Sequence, residues 1–154
     1  MTRFQTQLAA VCDRLNAHGA EFVLVGATAL QLWGSTRATR DIDILIPPDE
    51  ENARRVLAAL SEIGIGLARQ WLAEDIATRP VTIIGDVPRV DILTVAWSVH
   101  YADARPAATE FELEGVKIPT ASIEHLIESK RTGRLQDAAD IEALEEIRRL
   151  RGGG

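Results

Sequence analysis

The sequence predicts an α/β (α+β) fold, a small mixed β-sheet flanked by helices, and three observations lead there. Apolar residues at helical spacing alternate along the chain with short β-branched runs. One of those runs turns at a glycine straight into a helix. Apolar residues make up 46% and charged residues 26% of the 154 positions, close to the averages of globular proteins, so a compact core is expected and a disordered or fibrous chain is not. That length suits one core. Residues 1–151 are expected to form a single domain, with 152–154 (Gly-Gly-Gly) as a flexible tail. The chain has no repeats and no long linker.

Each element has its own signal. Leu8, Val11, Cys12 and Leu15 recur at helical spacing between Thr2 and His18, and Gly19 stands where a helix end favours glycine. Glu21 to Val25 reads as a buried strand that passes at Gly26 into a helix over Ala27 to Trp33. Asp41 to Ile46 alternates acid and apolar residues before Pro47-Pro48, the period of a strand with one wet face. Asp49-Glu50-Glu51 opens a helix whose inner face is Val56, Leu57 and Leu60. Leu67 to Asp75 fits a short helix or an irregular insert, in which Trp71 packs. Pro80 to Ile84 and Arg89 to Val95 flank the turn-rich Gly85-Asp86-Val87-Pro88, as a hairpin would, and Glu114-Gly115 joins a second, smaller one. Two helices follow, one capped by Thr120 or Ser122 and one over Leu135 to Leu150.

Charge and composition narrow the function. A net charge of -6 argues against broad nucleic-acid binding, which depends on many Lys and Arg side chains displacing counterions, although it leaves room for a local basic groove. The single cysteine, Cys12, has no disulfide partner and sits in the first apolar stripe. No apolar run approaches the ~20 residues of a membrane span, and Met1 to Gln7 lacks the pattern of a signal peptide, so a soluble cytoplasmic protein is expected. His18, His100 and His125 are too scattered to suggest zinc.

The chemistry concentrates at Asp41-Ile42-Asp43. Two residues apart on a strand, both carboxylates project from one face, with Cα atoms about 7 Å apart. Asp forms strands poorly, and two neighbouring acids repel unless a cation lies between them. The plainer alternative is an amphipathic strand with its acids in water. Upstream, Gly26 lacks a β-carbon at a strand-to-helix junction, which would let phosphate oxygens approach the backbone N–H groups of the helix start, with Thr28 adding a hydroxyl. Such a glycine is also common in simple turns.

Val25-Gly26-Ala27-Thr28, then Gly34, then Arg37-Ala38-Thr39-Arg40-Asp41-Ile42-Asp43 resembles the nucleotidyltransferase superfamily with its polymerase-β-like fold, and within it the AbiEii-like toxin branch. The resemblance implies a third carboxylate on a later strand, for which Asp91 in Arg89-Val90-Asp91-Ile92-Leu93 is in place. It implies that Asp41, Asp43 and Asp91 hold magnesium, or manganese in its stead, while Asp91 helps to deprotonate the attacking hydroxyl. Gly26, Ala27, Thr28, Arg37 and Thr39 would face the nucleoside triphosphate. In Lys130-Arg131-Thr132-Gly133-Arg134-Leu135-Gln136-Asp137, Lys130 would neutralise triphosphate charge and Arg134 would pair with Asp137, although ordinary helix-surface pairing gives the same spacing. Ala27 replaces the usual second Gly or Ser, and no sizeable acceptor domain follows. The implied acceptor is tRNA, a protein or a small hydroxylated molecule such as an aminoglycoside, and the implied partner an antitoxin or a second copy of the chain. A catalytically inactive nucleotide-binding or antitoxin-like module is the competing class.

Overall fold

The computed structural model describes residues 2–152; Met1 and the last two glycines of the expected tail lie outside them, and Gly152 closes a turn after the last helix. A six-stranded mixed sheet carries the architecture. Its strands are β1 (Val23–Val25), β2 (Asp41–Leu45), β3 (Val81–Ile84), β4 (Arg89–Leu93), β7 (Thr109–Leu113) and β8 (Val116–Thr120), in the order β3-β4-β2-β1-β8-β7. β2 runs parallel to β4 and β1 parallel to β8; the other neighbours are antiparallel. The helices are α1 (Arg3–Ala17), α2 (Gly26–Trp33), α3 (Glu50–Leu60), α4 (Ala73–Thr78), α5 (Tyr101–Ala104), α6 (Ile123–Ser129) and α7 (Leu135–Leu150).

Helix boundaries follow their caps. Thr2 and Gln5 form a reciprocal capping box at α1, with hydrogen bonds of 3.1 and 2.9 Å, and Leu8, Val11, Cys12 and Leu15 form its buried stripe. Asp49 caps α3 by accepting from the Glu51 N–H, and Ser122, one of the two residues expected to do so, caps α6. The ambiguous stretch resolves into a 3-10 turn at Leu67–Gln70 followed by α4, with Trp71 half-buried beneath the Arg79 guanidinium.

One element departs from expectation. Val95 does not extend β4; it starts a two-stranded ribbon, β5 (Val95–Ala96) with β6 (Val99–His100), turning on Trp97-Ser98. That turn lacks the glycine or asparagine that normally marks a tight hairpin, so sequence patterning passes over it.

One continuous core joins all layers, with Phe22, Leu24, Leu30, Ile42, Ile44, Ile92 and Ile118 completely buried. Buried Asn52 fixes the entry to β1, accepting from the Glu21 N–H at 2.7 Å and donating to its carbonyl at 2.9 Å. Because Ile42, Ile44, Val90 and Ile92 fill the core, the alternate residues of β2 and β4 must face the other way. Among the described residues no helix is long and apolar enough to cross a membrane.

Candidate active site

Parallel pairing of β2 with β4 places Asp41 opposite Arg89 and Asp43 opposite Asp91. Direct partners share a face of the sheet, so three carboxylates and one guanidinium lie in a row along that face, opposite the core. Asp43 also pairs with Val25, the last residue of β1 before α2. Its carboxylate lies against the Cα of Gly26, so close that a β-carbon there would stand 1.9 Å from Oδ2. Gly26 adopts φ +70°, and α2 begins at this residue without a side-chain cap. The N–H groups of its first turn therefore lack an internal acceptor at the end of the helix that adjoins Asp43.

The row is electrostatically strained. Burial pushes the Asp43 carboxyl up to about 7, aided by the charges of Asp91 and Asp41 and by a hydrogen bond with Asp91, while Lys130 acts in the opposite sense. Arg89 relieves part of that charge. Its Nε and Nη2 grip both oxygens of Asp91 at 2.8 and 3.0 Å, and Nε lies 3.8 Å from Asp41 Oδ2. A guanidinium between two carboxylates stands where positive charge is needed, which fits the row as a cation site. The expected three-carboxylate cage is nevertheless not preassembled: among the described residues no three His, Cys, Asp or Glu side chains gather closely enough to hold an ion. Asp91 engages Arg89 with both its oxygens while it also contacts Asp43. Magnesium needs only a few carboxylates, completing its octahedron with water and phosphate oxygens, so the donor set still suits it.

Asp43 and Gly26 form one wall of a cleft of about 220 Å³. Lys130, Thr132, Arg134 and Asp137 also line it, together with Leu93, Ala96 and Trp97. The Arg134–Asp137 pair is present at 2.8 Å. Burial works against the Asp137 charge, but the Thr132 hydroxyl and Arg134, each hydrogen-bonded to it, and the nearby Lys130 outweigh that and hold its carboxyl below the usual range. Lys130 Nζ lies 3.0 Å from Asp140 and 3.5 Å from Asp137, both almost completely buried.

Of the residues expected to face a triphosphate, Gly26, Lys130, Arg134 and Asp137 line this cleft, whereas Ala27, Thr28, Arg37 and Thr39 do not. The hydroxyl of Thr28 is corrected most plainly. The side chain is fully buried and donates at 2.7 Å to the Asp41 carbonyl, so it fixes the start of β2 to α2. Arg37 pairs through Nη1 with Asp140, tying the α2–β2 loop to α7. Thr39 accepts from the Asp41 N–H at 3.3 Å, and Ala27 is buried with its methyl in the helix packing.

Asp41 belongs to a second, larger cleft of about 620 Å³, whose wall carries Arg3, Arg40 and Arg89. The acid row therefore separates two openings. A further hollow of about 540 Å³ between α1, α5 and the β7–β8 hairpin mixes both signs of charge and contains none of the three carboxylates.

Comparison with known proteins supports the fold and gives the family. No curated protein matches the chain by sequence. Among solved structures, an antigenic nucleotidyltransferase-like protein from Paracoccidioides brasiliensis superposes with a TM-score of 0.60 at 17% identity, over 96% of this chain and 76% of that one. A nucleotidyltransferase of Thermotoga maritima, described as putative, superposes at 0.57 and 20% identity, over 100% and 97%. At such identities the likeness is one of fold, a nucleotidyltransferase-like mixed sheet. The family profile described as "Nucleotidyl transferase AbiEii toxin, Type IV TA system" matches residues 10–140, from the middle of α1 into α7 and across the whole acid row. This chain belongs to the AbiEii nucleotidyltransferase toxin family.

Proposed function

We propose that the protein transfers a nucleoside monophosphate from a magnesium-bound nucleoside triphosphate to a hydroxyl acceptor, and that it acts in the cytoplasm as the toxin of a toxin–antitoxin pair. The observation that supports this best is the Asp43–Asp91 register, which forces two acids together against Gly26 where an uncapped helix begins. A cation held there by Asp41, Asp43 and Asp91 would offset charge on the phosphates and on the entering and leaving oxygens. The uncapped N–H groups of α2 and the Lys130 ammonium bind and orient the triphosphate across the smaller cleft. Asp91, once released by Arg89, accepts the acceptor's hydroxyl proton as the oxygen bonds to the α-phosphorus and pyrophosphate leaves.

The acceptor enters from the other side of the acid row. Arg3, Arg40 and Arg89 outnumber Asp41 and Asp86 along that opening in a chain of net charge -6, which favours a phosphate-bearing acceptor such as a tRNA end over a cationic aminoglycoside. An antitoxin, or a second copy of this chain, is the proposed partner.

Transfer of label from each α-labelled triphosphate to cellular RNA and protein tests the reading. Label should enter RNA with wild type and vanish with Asp43→Asn, whereas Arg40→Glu should raise KM for the acceptor more than it lowers kcat. One observation favours the competing module: Arg89 already satisfies Asp91. Tight magnesium-dependent triphosphate binding by wild type, without transfer to any fraction, would establish it.

A further inference from the structure

Three tryptophans occupy three different situations. Trp33 Nε1 donates to the Ala121 carbonyl at 2.9 Å, and its ring stacks edge-on with Phe111 at 5.1 Å. Trp71 is covered by Arg79. Trp97 is 60% exposed, at the tip of the β5–β6 ribbon, on the rim of the cleft that holds Gly26, Asp43 and Lys130.

Its backbone makes the placement costly. Ala96 pairs with Val99, so Trp97 is the first residue of a two-residue turn, and its φ is +59°. A primed hairpin turn requires that value but normally recruits Gly, Asn or Asp for it; a bulky side chain there is a true outlier. Strain of this kind persists where the surroundings impose it and gathers at sites that use it. Ala96 and Val99 on either side are buried, and Ser98 bonds Glu128 at 3.2 Å, which holds the ribbon's backbone against α6 just before Lys130. The backbone that carries the exposed indole is thus anchored beside the helix that leads to the ammonium.

We propose that Trp97 is the stacking platform for the nucleobase of the bound triphosphate, with Leu93 and Ala96 as the apolar floor beside it. This rests on the nucleotidyl-transfer reading above and adds the half of the nucleotide which that reading leaves without a partner. The phosphates meet the polar wall of the cleft and the base meets its apolar rim. An exposed indole gives every base a π face, so the contact contributes affinity without selecting strongly among bases.

Calorimetry with magnesium present, comparing each nucleoside triphosphate with inorganic tripolyphosphate, tests the assignment. Wild type should bind nucleoside triphosphates more tightly than tripolyphosphate. Trp97→Ala and Trp97→Gly should weaken the former about 5- to 150-fold and leave the latter unchanged, while Trp97→Phe keeps most of the affinity. Trp97→Gly should melt no lower than wild type, because glycine relieves the turn. Nucleotide should quench indole fluorescence in wild type but not in Trp97→Phe, where Trp33 and Trp71 remain. Unchanged nucleotide affinity in Trp97→Ala, or equal weakening of nucleotide and tripolyphosphate, overturns the stacking role alone. Failure of wild type to bind either ligand overturns the nucleotide site itself, and this assignment with it.

Discussion

The carboxylate of Asp43 occupies the space that a β-carbon on Gly26 would fill. The acid of one strand and the first residue of a helix are thereby fitted to each other at the centre of the candidate site, and either one limits what the other can be.

Gly26→Ala should therefore injure both stability and activity. The new methyl displaces Asp43, and alanine at φ +70° adds backbone strain of roughly 1–2 kcal/mol. A displacement of the acid by even an ångström can cost about a hundredfold in rate. Urea unfolding and the label-transfer assay measure the two effects separately, and a fully active Gly26→Ala protein would refute the fit.

The raised Asp43 carboxyl carries a pH signature. Its value in the folded protein, about 7, lies above the ordinary 3.8, so the folded state holds this proton more tightly. That stabilisation is complete below pH ~4 and is lost as pH rises through 7. Without divalent cations, the melting temperature should accordingly fall between pH 4 and 7, and Asp43→Asn should flatten that slope. Magnesium binding by wild type should strengthen from pH 6 to 8 and release a proton, read by calorimetry in two buffers of different ionisation enthalpy.

Lys130 should reveal two roles. It is the ammonium nearest two buried carboxylates, Asp137 and Asp140, which Arg134 and Arg37 also partner. Lys130→Ala should destabilise the protein at or below the lower end of the roughly 3–5 kcal/mol typical of a broken buried pair, because those arginines remain. Tripolyphosphate affinity should fall as well. A variant that loses affinity with an unchanged urea midpoint would show that the lysine serves the ligand alone.

Cys12 offers a probe of global opening. It is completely buried in α1, and burial pushes its thiol up to about 12. Native protein at pH 8 should resist a maleimide reagent, and the rate of labelling should rise along the urea unfolding curve with no earlier phase.

The Asp41–Asp43 pair was legible in the sequence because it depends on a local rule, alternation along β2 opposite Ile42 and Ile44, whereas Asp91 came from the family resemblance. The hairpins at Gly85–Pro88 and Glu114–Gly115 were legible from their turn residues. Three features were not. The grip of Arg89 on Asp91 is written as two residues of one strand, but its second partner, Asp41, comes near only when β2 and β4 pair across the chain. The Thr28 hydroxyl looked available at a helix start, yet α2 rolls it inward onto the Asp41 carbonyl. Trp97 was hidden because its turn uses a residue that turns avoid, and only the buried neighbours on each side explain how the ribbon tolerates it.

The parallel pairing of β2 with β4 also sets when in its synthesis this chain can act. A nascent chain on the ribosome cannot bring Asp91 beside Asp43 until β4 has emerged and found its register, and a one-residue slip would turn one of the two acids into the core. The opposite wall of the cleft comes later still, from Lys130 and the start of α7. The two walls of the cleft therefore come together only when nearly the whole chain has been made.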